Sequence, residues 1–148
     1  MKAYTDIEQG KELSFILPID TADMHYQYVL PWSSTLHSVP SIGNPSEALK
    51  WYNMGYEKTG QPPMELRDFC VPCWSLAALI EVLPLGLDIH NISDGHKTYY
   101  YVEVYTKEIY MKLKRMNKAE ICLSTERHEN LVDACVEMIF TLKERNLL

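Results

Sequence analysis

A chain of 148 residues, 47% hydrophobic and 23% charged, is sized and composed for one globular domain spanning 1–148. At that length roughly 70% of the unfolded surface can be buried without a disulfide or metal staple. The net charge of −6 opposes general attraction to nucleic acid, and no run approaches the roughly 20 apolar residues of a membrane span. The polar opening MKAYTDIEQGKEL lacks the apolar stretch of an export signal, so the sequence predicts a cytoplasmic protein whose four cysteines are reduced.

In chain order, Thr5-Asp6-Ile7-Glu8 reads as a capping box that opens a helix near 6–17, ended by Pro18 and weakened by Gly10. Residues 18–72 are loop-rich and irregular, punctuated by Pro31, Pro40, Gly43, Pro45, Gly60, Pro62 and Pro63. Within them Tyr26 to Leu30 suggests a short strand. Asn44-Pro45-Ser46-Glu47 starts a helix of two to three turns with Leu49, Tyr52 and Tyr56 on its buried face. Pro72 suits the first turn of a helix over 73–83, apolar through Trp74, Ala77, Ala78, Leu79 and Val82 and closed by Pro84.

A β-meander over 87–124 follows. Leu87 to Ile92 and Lys97 to Tyr105 flank Ser93-Asp94-Gly95, a hairpin signal. Tyr100, Val102 and Val104 share one face, and Tyr99, Tyr101, Glu103 and Tyr105 the other. Ile109, Met111 and Leu113 alternate with Tyr110, Lys112 and Lys114 as a third strand, and residues 119–123 supply a fourth. The closing helix, 129–145, has Asn130 as cap and a stripe of Leu131, Cys135, Met138, Ile139 and Leu142. The expected fold is therefore α+β, an antiparallel meander of about four strands packed against two to three helices.

Three segments, IEQGKELSFILPIDTADM, PCWSLAALIEVLP and ENLVDACVEMIFTLKERNLL, together resemble a family of small uncharacterised proteins from gut-bacterial genomes, prophages and conjugative elements. The family pattern opens E-Q-S-x-x-L and runs to T-A-D-M. It continues P-A-W-S-L-x-A-L-L-x-x-L-P and closes D-A-x-x-E-M. The resemblance implies a phage or mobile-element setting and supplies no activity, ligand or catalytic residue. The family carries alanine where this chain has Cys73.

Several chemistries can be weighed on the residues alone. Cys70-Val71-Pro72-Cys73 has redox spacing, but the stretch before it, GQPPMELRDF, reads as loop rather than the strand of a βαβ unit, and buried thiols are the simpler account. Zinc would need a second ligand pair, and His90, His96, Cys122 and His128 form none. Asp20, Asp23 and His25 lie close in sequence, yet turn-capping explains them. No cofactor or metal is expected.

Lys107, Lys112, Lys114, Arg115 and Lys118 form a basic strip on the acidic chain. The candidate ligand or partner surface is accordingly the sheet face where Tyr99, Tyr101 and Tyr105 would stand beside Tyr110, Lys112 and Lys114, since aromatics interleaved with Lys can stack bases and hold phosphates. The leading functional expectation is a non-catalytic accessory protein of a phage or mobile element. It would act by protein–protein binding or self-association, for instance as an inhibitor of a host defence or DNA-handling protein. A small-ligand or nucleotide binder using the Tyr/Lys face is the alternative, and an enzyme of unknown class the third.

Overall fold

The computed structural model describes residues 2–30, 33–105, 107–115 and 122–148. The fold is α+β, with helices and two three-stranded antiparallel sheets, and the chain divides into two compact units. The first unit is Tyr4–Ala78; the second is Leu79–Leu148 together with Met1–Ala3. Among the described residues no helix is long and apolar enough to cross a membrane.

In the first unit, helix α1 (Ile7–Leu13) leads through a 3-10 turn at Ile19–Thr21 to strand β1 (Met24–Gln27). The capping box lies one residue later than the sequence suggests. Asp6 is the cap, accepting from the Gln9 N–H at 2.9 Å, while the Gln9 side chain accepts from the Asp6 N–H at 3.2 Å. Thr5 is drawn inward instead: its buried hydroxyl accepts the Trp74 backbone N–H at 3.1 Å. A donor and an acceptor that would be costly to bury alone thus satisfy each other.

Strand β2 (Ser41–Ile42) and strand β3 (Cys70–Cys73) flank β1, in the order β2-β1-β3. Helix α2 (Pro45–Glu57) is capped by Asn44, which accepts from the N–H groups of Ser46 and Glu47. A single turn, α3 (Leu66–Phe69), feeds directly into β3. The region 18–72, irregular by its punctuation, therefore supplies all but the last residue of a three-stranded sheet.

The C-x-P-C segment is the central surprise. It is a strand rather than a helix entry, and helix α4 starts only at Leu76, running to Val82 with the unit boundary inside it. Proline is tolerated because β3 is an edge, where the missing N–H interrupts no ladder bond. The strand is buried on both faces. Val71 and Cys73 pack with Tyr26, Ile7 and Met24, whereas Cys70 packs with Phe69 and Met64 beneath α2. Its outer edge is closed as well. Cys70 N–H is bonded to Leu66 O, Trp74 N–H to Thr5, and α1 lies against the strand so closely that a Cβ on Gly10 would sit 2.3 Å from Pro72 O. Edge closure of this kind prevents pairing with a foreign strand.

The second unit contains the expected hairpin. Strand β4 (Leu87–Ser93) pairs in register with strand β5 (Thr98–Val104), and the Asp94 carboxylate accepts the N–H groups of His96 and Lys97 across a turn whose Gly95 has φ +90°. A short strand β6 (Leu123–Ser124) adds to β5. Val102 and Val104 are fully buried, and helix α6 (Leu131–Glu144) packs against β5. Its cap is as read, with Asn130 accepting from Asp133 N–H at 2.9 Å. Of the expected stripe Cys135, Met138, Ile139 and Leu142 are fully buried, whereas Leu131 is half-buried and Val132, Ala134 and Val136 join the core in addition.

One element departs from the expected meander. Residues 107–115 form helix α5 (Lys107–Arg115), not a third strand. The run Ile-Tyr-Met-Lys-Leu fits both periods, because Ile109 and Leu113 are spaced for a helix face and for a strand face alike. Burial decides between them: Ile109 is 4% exposed and Met111 42%, so they do not share a buried face. Lys, Glu, Met and Arg, all good helix formers, favour the same outcome. The expected fourth strand at 119–123 lies mostly outside the described residues.

Candidate functional site

The Tyr/Lys surface is not assembled as the sequence suggests. Tyr99 and Tyr101 lie half-buried on β5, opposite Ile92 and His90 of β4, and Tyr105 is exposed just beyond the strand. Tyr110, Lys112 and Lys114 belong to α5, so they do not stand on a neighbouring strand. The strand beside β5 on that side is β6, which places Ser124 opposite Glu103. On this sheet face the His90 ring stacks on Tyr101 at 4.6 Å and 11°. His90 Nε2 is covered and lies 3.2 Å from Glu103 Oε2, at an angle unsuited to a hydrogen bond. On this face the stacked His90–Tyr101 pair has the Glu103 carboxylate beside it.

Cys70 and Cys73 sit on opposite faces of β3, each in its own cluster, and neither faces solvent. Burial pushes the Cys70 thiol up to about 12 and the Cys73 thiol up to about 11. The Cys73 thiol donates to Thr5 O at 3.4 Å. A redox thiol needs the reverse, an exposed and stabilised thiolate. Both behave as small core residues.

Asp20, Asp23 and His25 are likewise structural. Asp23 receives the Ser75 N–H at 2.8 Å and the Ser75 hydroxyl at 2.5 Å, fixing the start of α4, where the same hydroxyl accepts Ala78 N–H at 3.2 Å. His25 is buried and donates from Nδ1 to Gly43 O at 3.0 Å. Asp20 offers its backbone carbonyl to the Asn44 amide at 3.3 Å. His128 pairs with Glu137, whose carboxylate also accepts Glu126 N–H. Among the described residues no cluster of three His, Cys, Asp or Glu side chains is arranged to hold a metal ion.

A concave surface of different character lies in the first unit. A groove of about 480 Å³ runs beside α1 and β3, walled by Phe15, Tyr28, Leu66, Val71 and Pro72. Phe15 is 88% exposed, a large apolar ring left in water at the lip of an apolar surface. Lys11 and Arg67 border it, each already paired: Lys11 with Glu8 at 2.8 Å and Arg67 with Glu65 at 2.9 Å. Sequence reasoning missed this groove because its walls come from four separate segments. The one local signal is Phe15 itself, which follows the end of α1 on the side away from Leu13 and Leu17.

No protein-family model matches the chain, and no curated protein and no solved structure is significantly similar to it.

Proposed function

We propose that this chain acts by binding a partner protein, and not by catalysing a reaction, through the Phe15 groove of the first unit. The supporting observation is the pairing of an 88% exposed Phe15 with a contiguous apolar wall of Tyr28, Leu66, Val71 and Pro72. Solvent-exposed apolar surface of this kind, rimmed by charges, is characteristic of interaction sites, and aromatic rings concentrate at their centres. Lys11 and Arg67 are neutralised by their own carboxylate partners, so the rim is suited to register rather than to strong charge attraction.

The setting we propose is that of an accessory protein of a phage or mobile element, on the resemblance of its three segments. The net charge of −6 is compatible with a partner that presents a basic surface, such as a host defence or DNA-handling protein. The test is comparative capture. Wild-type chain and a Phe15→Ser variant are each used as bait in host lysate, with equal thermal stability checked first. The reading expects one reproducible partner that the variant loses. A partner retained equally by Phe15→Ser, or none at all, overturns it.

A further inference from the structure

A second, smaller pocket of the first unit has a distinct chemistry. It occupies about 170 Å³ between the end of β1, α2 and α3, and its lining includes Tyr28, Tyr52, Phe69, Met64, Gln27 and Asp68. The rings are held in place. Tyr52 stands 5.2 Å from Phe69 and 5.1 Å from Tyr56, and Phe69 lies 5.9 Å from the buried His25 ring. Met64 is fixed through its backbone, which donates to Asn53 Oδ1 at 2.8 Å and accepts from Asn53 Nδ2 at 3.0 Å. Asp68 is half-buried, and its carboxylate has no hydrogen-bond or ion partner among the described residues. The adjacent Arg67 is turned to Glu65 instead, at 2.9 Å.

We propose that this pocket binds a small alkylammonium cation. Aromatic faces carry negative electrostatic potential, and several of them around one space make the recognised environment for methylated ammonium groups. The unpaired Asp68 adds a full negative charge at the same place, in a partly enclosed site where charge interactions are less screened. A neutral apolar guest would cover that carboxylate without compensating it, and an anion would be repelled. The volume sets the scale: 170 Å³ is below the roughly 300–1,000 Å³ of sites for drug-sized ligands. It therefore suits a headgroup or the tip of a side chain, not a nucleotide. The same chemistry can come from a free amine or from a methylated lysine of a protein. This inference goes beyond the groove reading and stands without it.

The test uses the full chain with ring resonances of Tyr28, Tyr52 and Phe69 followed by NMR at matched ionic strength. Choline, tetramethylammonium and a short peptide bearing trimethyl-lysine are titrated against 3,3-dimethylbutan-1-ol, the neutral carbon isostere of choline. The cations should give saturable shifts, and the isostere should bind at least about tenfold more weakly. Asp68→Asn should weaken the cations by about tenfold with an unchanged amide spectrum, and Tyr52→Leu should lose binding that Tyr52→Phe keeps. A tighter peptide identifies a protein side chain as the source; tighter choline identifies a free amine. Absence of saturable shifts with every cation, equal binding of the neutral isostere, or indifference to Asp68→Asn each overturns the proposal.

Discussion

Gly10 and Gly55 are both helical glycines, and the structure assigns them opposite signs. A Cβ on Gly10 would lie 2.3 Å from Pro72 O and 3.3 Å from Val71 Cγ1, whereas one on Gly55 meets nothing within 4 Å. Ordinary carbon contacts begin near about 3.5 Å, so alanine at position 10 must push α1 about 1 Å from β3. The obstructing atom is a backbone carbonyl on a strand buried on both faces, so it cannot swing aside as a side-chain tip would. Overpacking of this type costs about 1–3 kcal/mol, against about 1 kcal/mol that alanine returns through helix propensity. The difference is about 0–2 kcal/mol, and because the obstructing atom is backbone the Gly10→Ala variant should fall toward the destabilised end, near about 2 kcal/mol. Gly55→Ala, exposed on α2, keeps the propensity gain without the clash and should stabilise by about 0.5–1 kcal/mol. For a chain of this length 1 kcal/mol moves Tm by about 3 °C. Scanning calorimetry of the two variants should show shifts of opposite sign. A Gly10→Ala protein as stable as wild type would refute the close approach of α1 to β3.

Further outcomes follow from the buried polar and thiol groups. Thr5→Val removes the acceptor of Trp74 N–H at constant shape and should cost about 1–3 kcal/mol, read by urea denaturation of the tryptophan fluorescence. Asn130→Ala should cost about 1 kcal/mol through loss of the α6 cap, seen in the same assay. Burial raises the Cys70, Cys73 and Cys135 thiols to about 12, 11 and 11. In the unfolded chain they ionise near about 8.5, so above that pH the unfolded state binds fewer protons than the folded one and stability falls as pH rises. The urea midpoint should hold steady near neutrality and drop between pH 8.5 and about 11, by up to about 1.4 kcal/mol per pH unit for each thiol. A midpoint that rises across that window contradicts the burial of these thiols, as does rapid thiol labelling of Cys70 or Cys73 in the native protein.

The elements legible in the sequence are those whose specification is local. Asp94-Gly95 fixes the β4–β5 hairpin because the turn needs positive φ and a side chain that caps the next N–H groups. Asn44 and Asn130 announce α2 and α6 through cap bonds made within three residues, and the α6 stripe follows from a strong 3.6-residue period. The burial of Val102 and Val104 follows from simple alternation.

Where local signals conflict or balance, long-range packing decided. Residues 109–113 satisfy two periods at once, and only the differing burial of Ile109 and Met111 selects the helix. The strand-by-strand arrangement expected for the Tyr/Lys surface changed with that choice, because Tyr110, Lys112 and Lys114 lie on α5. The Cys70–Cys73 segment, with proline inside it, carries no strand pattern of its own. It becomes one because β1 pairs with it, α1 closes its edge through Gly10, and two separate clusters cover its faces. The Phe15 groove and the Tyr28–Tyr52–Phe69–Asp68 pocket depend on side chains brought together from positions 15 to 72. Composition, caps and one hairpin were the sequence's to determine by itself. The sheet around the buried cysteines and both concave surfaces were decided by the tertiary structure, since each exists only where chain-distant residues exclude water together.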